Sequence, residues 1–169
     1  MTNNKDEIYT LSINPDTMSF SSVHFISFES APKDCKCEML HGHNYKVEMK
    51  VCGTLNQHGY VVDFSDLKRE LKAVLKKYDN RILLATQNPL ISISQNGDET
   101  KLEYDGKHFL FPSSNVVLIN RVNTTAEILA SEIFTAISDN FLRKYKNVKS
   151  AEVCVEEKTG QRASCGGKF

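Results

Sequence analysis

Apolar and polar positions alternate most clearly in the stretch from His41 to Val51. One set of alternate positions is His41, His43, Tyr45, Val47, Met49 and Val51. The positions between them include Asn44, Lys46, Glu48 and Lys50. Because successive side chains of a strand point to opposite faces, this pattern predicts a half-buried β-strand. Both histidines therefore belong to its buried face.

Two further strands are predicted on either side of this one. The segment 18–25, "MSFSSVHF", places Phe20, Ser22 and His24 on one parity. The segment 150–157, "SAEVCVEE", is the last predicted strand. Between the first two strands, "ESAPKDCKCEML" contains a proline and mixed charges, which is typical of a loop.

Two amphipathic helices are predicted from apolar residues that recur every three or four positions. The first predicted helix spans about 14 residues. The apolar stripe along one of its faces is Phe64, Leu67, Leu71, Val74, Leu75 and Tyr78. The second begins in "NTTAEILASEIFTAI", where Thr124 and Glu127 have the spacing of a capping box. Its stripe is Leu129, Ile133, Ile137 and Phe141.

Between the helices, the segment 91–111 alternates in polarity and contains two turn signals. These are Asn96-Gly97 and Asp105-Gly106, which suit the positive backbone angles of hairpin turns. We therefore expect an inserted β-hairpin. No repeat divides the chain, and 169 residues fit one domain over 1–169. The predicted class is α+β, with antiparallel strands, two helices on one face and the inserted hairpin.

The composition limits the possible partners and location. The 21 basic and 21 acidic side chains cancel, which argues against a general nucleic-acid binder or an anionic-membrane binder. No apolar run is long enough to cross a bilayer, and the N-terminus lacks the apolar core of a signal peptide. We therefore expect a cytoplasmic protein whose five cysteines are thiols or ligands.

The segment "CKCEMLHGHNY" concentrates possible metal ligands. His41 and His43 lie two apart on one strand face, about 6–7 Å along the backbone, a span that imidazoles can close around one ion. A third histidine from a neighbouring strand would leave one position open, as in catalytic zinc sites. His24 is the candidate, since we expect His58 and His108 at the surface, in a turn and in the insertion.

Two other interpretations of this segment stay open. A structural zinc would use Cys35, Cys37, His41 and His43 as a closed tetrahedron. Each of those pairs is separated by a single residue, which is closer than the usual spacing of structural sites. Alternatively, the histidines are only packed or hydrogen-bonded.

Taken together, these motifs resemble the 6-pyruvoyl-tetrahydropterin synthase family, which includes the 6-carboxy-tetrahydropterin synthases of queuosine biosynthesis. The resemblance rests on an upstream strand histidine, a cysteine followed by "HGHNY", then "GYVVDFSDLK", "NTTAEILA" and a strand ending in Glu-Glu-x-Thr. It implies the tunnelling fold, a four-stranded antiparallel sheet with two helices. It also implies homo-hexamers built from two trimers, with active sites between subunits.

The resemblance further implies a metal and a substrate. Zn²⁺ would be held by His24, His41 and His43. The substrate would be the pterin 7,8-dihydroneopterin triphosphate, whose side-chain hydroxyls would fill the open position of the zinc.

Three residues match the positions that bind the pterin ring in this family. Glu157 matches the glutamate that grips the ring, because a carboxylate can accept two parallel N–H bonds. Glu156 should face the other way. In a shared site, Glu157 would reach a pocket built by a neighbouring chain's histidines. Thr124 and Thr125 match threonines near the pterin, unless one of them caps the helix.

Three residues compete for the role of general base. Members that make the 6-pyruvoyl product carry cysteine six residues before the first histidine of "HGH", where Cys35 stands. Queuosine-pathway members carry it four before, where Cys37 stands. A third subgroup, which yields a hydroxymethyl-dihydropterin for folate, uses glutamate three before, where Glu38 stands. The queuosine spacing fits without adjustment, so Cys37 is the first choice.

The chain departs from the family after the first helix. An Asp-His pair normally relays protons there, but this chain has Asp79 and Asn80. Asparagine cannot accept a proton near pH 7, and a positioned acid or base contributes roughly 10²–10⁴ in rate. Either Asp79 acts alone, or Glu38 takes part, or the reaction differs. The resemblance thus implies a zinc-dependent lyase, with a zinc- and pterin-binding protein lacking synthase activity as the alternative.

Overall fold

The structure is a computed structural model that describes residues 7–27, 29 and 36–169. Within these residues the chain forms ten β-strands and two α-helices. The strands are β1 (Tyr9–Ile13), β2 (Ser19–His24), β3 (His41–Gly53), β4 (Arg81–Ala85), β5 (Ile91–Asn96), β6 (Glu99–Tyr104), β7 (Lys107–Pro112), β8 (Val116–Ile119), β9 (Val148–Lys158) and β10 (Gln161–Lys168). The helices are α1 (Phe64–Leu75) and α2 (Ala126–Asn140). None of the helices in this part of the chain is both long and apolar enough to span a membrane.

Seven strands form one mixed sheet in the order β10-β9-β3-β2-β4-β8, with β1 also paired to β3. The 13-residue β3 is about 40 Å long, so it accommodates β2 along its first half and β1 along its second. The antiparallel part of the sheet is therefore four strands wide along its length. β1 and β2 lie one after the other along the same edge of β3, so together they count as one strand of this width.

The predicted four-stranded, purely antiparallel sheet is wrong in its extent. Strands β4 and β8 extend the sheet through parallel pairs, β2 with β4 and β4 with β8. Their sequences, "RILLA" and "VVLI", are short apolar runs without alternation. Such runs carry no periodicity that distinguishes a strand from a buried helical turn.

The insertion is a separate three-stranded antiparallel sheet, β5-β6-β7, rather than a single hairpin. Both turns lie at the predicted places, with positive φ at Gly97, Asp105 and Gly106. Two turns delimit three strands, which accounts for the extra strand. The inserted sheet packs on the rest of the chain through its own apolar cluster. The buried members of that cluster are Phe25, Leu84, Leu102 and Tyr104.

Both helices pack in one core with the face of β3 that carries the alternating apolar residues. α1 buries Leu67, Leu71 and Leu75, and α2 packs on β9 and β10. The cap of α2 differs from the prediction by one residue. The Thr125 hydroxyl accepts from the Ile128 N–H, whereas Thr124 is buried. Thr125 is therefore the capping residue, which leaves Thr124 available for other contacts.

Candidate metal centre and active site

Three histidines meet at the end of the core face of the large sheet. The register of β2 and β3 pairs His24 with His41 and Ser22 with His43, and directly opposite residues share a face. The ring centroids are 4.8 Å apart for His24–His41, 5.2 Å for His24–His43 and 4.8 Å for His41–His43. One ligand atom from each histidine lies within 4.8 Å of the other two. The fold thus brings together the three histidines selected from the sequence.

Backbone carbonyls fix the orientation of two of these rings. Nδ1 of His24 lies 2.9 Å from the carbonyl oxygen of Thr124, and Nδ1 of His41 lies 2.7 Å from that of Met39. A carbonyl can only accept, so each Nδ1 carries the proton and each Nε2 keeps its lone pair. This is the arrangement found behind metal-binding histidines.

The third histidine has a buried nitrogen without a hydrogen bond. Nε2 of His43 is buried and makes no hydrogen bond within the described residues, although Oε1 of Glu157 lies 3.3 Å away. An unsatisfied buried polar atom costs about 1–3 kcal/mol. A metal ion bound to this nitrogen would remove that penalty. Together with two lone pairs already aimed by their carbonyls, the three imidazoles suit a metal ion with one open position.

Burial favours the neutral imidazole at His24 and His43. It lowers the pKa of His24 from 6.5 to about 4. It also lowers the pKa of His43, against the opposing effect of the Glu157 carboxylate. Metal ions bind the neutral form of imidazole, so the lowered pKa values suit His24 and His43 as metal ligands.

Two hydroxyl groups lie close to the ring nitrogens of His24. The Thr124 hydroxyl lies 3.2 Å from Nδ1 and donates to the carbonyl of Phe25. The Tyr45 hydroxyl lies 3.3 Å from Nε2, and burial raises the pKa of this tyrosine, so it stays protonated. Tyr45 was not predicted as a site residue, although its parity with the two histidines of β3 was the available signal. Thr124 also contacts a histidine, and its expected place beside a pterin stays a prediction.

Glu157 lies on the core face of β9, beside the histidines of its own chain. Its Oε1 is 3.3 Å from Nε2 of His43 and its Oε2 is 4.0 Å from Nε2 of His24. A contact of Glu157 with a neighbouring chain's histidines stays a prediction. Glu156 points to the opposite face and forms an ion pair with Arg162. The alternation of β9 separates the two glutamates into different surroundings.

The three candidate bases lie before β3, and two of them are described. Cys35 lies outside the described residues. Cys37 is an exposed thiol and is not a member of the histidine cluster, so the described residues do not form the closed Cys₂His₂ site. Glu38 is half-buried, and its Oε1 accepts a hydrogen bond of 2.5 Å from the hydroxyl of Tyr104.

Asp79 and Asn80 form the turn between α1 and β4. Oδ1 of Asp79 accepts from the Ser21 N–H at 2.9 Å, and its Oδ2 accepts from the Asn80 side-chain amide at 3.1 Å. Within the described residues, Asp79 makes no hydrogen bond to the three histidines. Asn80 has a φ of 56°, a conformation for which Asn, Asp and His are the favoured residues after glycine. Asparagine is therefore compatible with the positive φ at this position, where the resemblance implies a histidine.

Comparison with known proteins agrees with this fold. Residues 15–168 match the sequence profile of the family described as 6-pyruvoyl tetrahydropterin synthase. The chain belongs to this family, which confirms the assignment made from the motifs, and its fold is the family's tunnelling fold.

Individual relatives carry two different names. A protein of Pyrococcus horikoshii named a putative 6-carboxy-5,6,7,8-tetrahydropterin synthase is 32% identical over 133 residues, which cover 79% of this chain and 78% of the relative. The crystal structure of a Plasmodium vivax 6-pyruvoyl tetrahydropterin synthase superposes with a TM-score of 0.87 at 28% identity, covering 97% of this chain and all of that one. A further P. vivax structure, described as a catalytic-residue mutant, has a glutamate replaced by alanine; it matches with a TM-score of 0.86 at 28% identity over the same shares of both chains.

Proposed function

We propose that the chain is a zinc-dependent lyase of this family that acts on 7,8-dihydroneopterin triphosphate. The observation that carries this proposal is the cluster of His24, His41 and His43 with Glu157 at its side. Three imidazole ligands with one open position are the usual arrangement of a catalytic zinc site. The product would enter pterin, folate or queuosine synthesis, and the expected location is the cytoplasm.

Bound zinc would polarise the side-chain oxygens of the substrate and make its hydroxyl groups more acidic. The chain's own residues would supply orientation. The carbonyls of Thr124 and Met39 hold two of the rings through Nδ1, so that Nε2 of each would be the atom to bind the ion. The carboxylate of Glu157 would accept the 2-amino group and the adjacent ring N–H of the pterin, as it would from a guanidinium.

For the general base we now favour Glu38 over Cys37. Glu38 is half-buried and held by a 2.5 Å hydrogen bond, whereas Cys37 is exposed. A base must be held within reach of the proton that it removes, and a fixed carboxylate meets this condition better than an exposed thiol. The catalytic glutamate of the similar P. vivax protein supports the same choice. Cys37, and Cys35 outside the described residues, remain the alternatives.

We also propose the family's homo-hexamer with active sites between subunits. Asp79 accepts hydrogen bonds from the Ser21 N–H and the Asn80 amide, and within the described residues it makes none to its own chain's histidines. That placement supports a role for Asp79 beside a neighbouring subunit's site rather than its own.

A second candidate function is zinc and pterin binding without synthase activity. Asn80 favours it, because its amide cannot relay a proton. In that case the site would still bind the metal, and Glu157 would still bind the pterin ring.

The product of the zinc-loaded protein tests these proposals. The protein is incubated with 7,8-dihydroneopterin triphosphate and the products are identified by mass spectrometry. We expect a tetrahydropterin or dihydropterin product. A 6-carboxy product with acetaldehyde would favour Cys37, a 6-pyruvoyl product Cys35, and a hydroxymethyl product Glu38. Bound but unchanged substrate would contradict the lyase and support the binding protein.

A further inference from the structure

The inserted sheet touches the loop that carries the candidate bases. The Tyr104 hydroxyl, at the end of β6, donates to Oε1 of Glu38 at 2.5 Å, although the two residues are 66 positions apart. The Tyr104 ring is 9% exposed. It packs on Phe25 with ring centroids 5.2 Å apart. The hydroxyl is thus held in place by a buried ring, so it offers Glu38 a rigid donor.

Each partner of this contact is linked to the histidine cluster through a neighbouring residue, Phe25 for Tyr104 and Met39 for Glu38. Phe25 directly follows His24, and its ring supports Tyr104. Met39 directly follows Glu38, and its carbonyl orients Nδ1 of His41. Movement of the inserted sheet relative to the histidines is therefore limited from two sides.

A cavity of about 200 Å³ lies beside the pair, with Glu38, Tyr104 and Lys107 among its lining residues. The remaining lining side chains are apolar, from Phe25, Met39, Leu40 and Phe109. Glu38 itself is half-buried beside this cavity. A donor from the protein then decides where its oxygens point.

We propose that Tyr104 is a positioning residue for Glu38, which makes the inserted sheet part of the active site. One oxygen of Glu38 is tied to the Tyr104 hydroxyl, and the other is left to accept a proton from the substrate. This assignment rests on the proposed function, in which Glu38 is the general base. It gives the insertion a role that no local sequence pattern indicates.

The test compares Tyr104→Phe with the matched control Tyr60→Phe in the zinc-loaded, full-length protein. Phenylalanine keeps the ring on Phe25 and removes only the hydroxyl. Tyr60 is an exposed tyrosine beyond the far end of β3. Because Tyr104→Phe removes a hydrogen bond to a charged group, we expect kcat to fall by about 10- to 100-fold. We expect KM and zinc content to stay within about twofold, and Tyr60→Phe to behave as the wild type.

A double-mutant cycle separates positioning from a general structural effect. Glu38→Gln alone should lower kcat by roughly 10²–10⁴. Adding Tyr104→Phe to Glu38→Gln should lower it no further, because the hydroxyl acts only through the carboxylate. Additive losses would overturn the assignment, as would an unchanged kcat in Tyr104→Phe while the wild type is active. An inactive wild type would instead refute the proposed function, and this assignment with it.

Discussion

The carbonyl of Thr124 lies 2.9 Å from Nδ1 of His24, and this contact joins residues 100 positions apart. It sets the tautomer of the most deeply buried of the three clustered histidines and points its Nε2 toward the other two. The loop before α2 therefore takes part in building the histidine cluster. The next residue, Thr125, performs a different task as the cap of α2.

The different contacts of Thr124 and Thr125 predict different effects when each of them is substituted. Thr124→Val keeps the carbonyl and the shape but removes the hydroxyl near His24, so we expect zinc affinity to fall by about 10-fold. Thr125→Val removes the cap and should lower the free energy of unfolding by about 1 kcal/mol, with zinc affinity unchanged. Competition with a zinc chelator and urea unfolding measure the two quantities. Equal effects of both substitutions on zinc affinity would contradict the distinction.

The depressed pKa of His24 predicts a pH dependence of the metal-free protein. Between pH 6.5 and about 4, the unfolded chain takes up a proton at His24 and the folded chain does not. Stability should therefore fall as the pH drops through this window and stop falling from this source below about pH 4. The shift corresponds to a loss on the order of 3 kcal/mol.

Urea unfolding of the metal-free protein at pH 7, 5 and 4 checks this prediction against His24→Gln. Glutamine does not titrate and retains a donor for the Thr124 carbonyl. The variant should lose less stability than the wild type over the same range. Identical declines in the two proteins would show that His24 is not the titrating group.

The two glutamates of β9 offer a matched pair for substrate binding. Glu157→Gln removes a charge beside His43 and should raise KM by about 10- to 100-fold, while zinc content stays unchanged. Glu156→Gln breaks the ion pair with Arg162 on the other face and should leave KM unchanged. Steady-state kinetics with metal analysis measure both. A rise in KM for Glu156→Gln alone would reverse the assignment.

Asn80→His distinguishes the lyase from the binding protein. Histidine is compatible with the positive φ at this position, so the substitution should preserve the turn. If Glu38 is the base, turnover should change by less than about twofold. Turnover that arises only in Asn80→His would show that the natural chain had lost its relay, and would favour the second candidate function.

The predictions that rested on local periodicity agree best with the structure. The period of two along β3 was enough to place His41 and His43 on its buried face, and the parity of 18–25 placed His24 on the matching face of β2. The apolar stripe of α1 is likewise buried at Leu67, Leu71 and Leu75. These features depend on side chains a few residues apart, which a sequence displays directly.

Other features depend on contacts that local sequence does not encode. The bonds from Thr124 to His24 and from Tyr104 to Glu38 span 100 and 66 residues. Neither follows from a spacing rule. The cap of α2 was displaced by one residue because both Thr124 and Thr125 are good capping residues. Strands β4 and β8 were missed because they are too short to show a period.

Zinc-dependent turnover tests the central claim most directly. The metal-free protein is assayed with 7,8-dihydroneopterin triphosphate, titrated with zinc and assayed again, beside His43→Ala and the surface control His58→Ala. We predict no turnover without metal, full recovery at one zinc per chain for the wild type and for His58→Ala, and neither zinc retention nor turnover for His43→Ala. Turnover that is independent of zinc, or that persists in His43→Ala, would contradict the account.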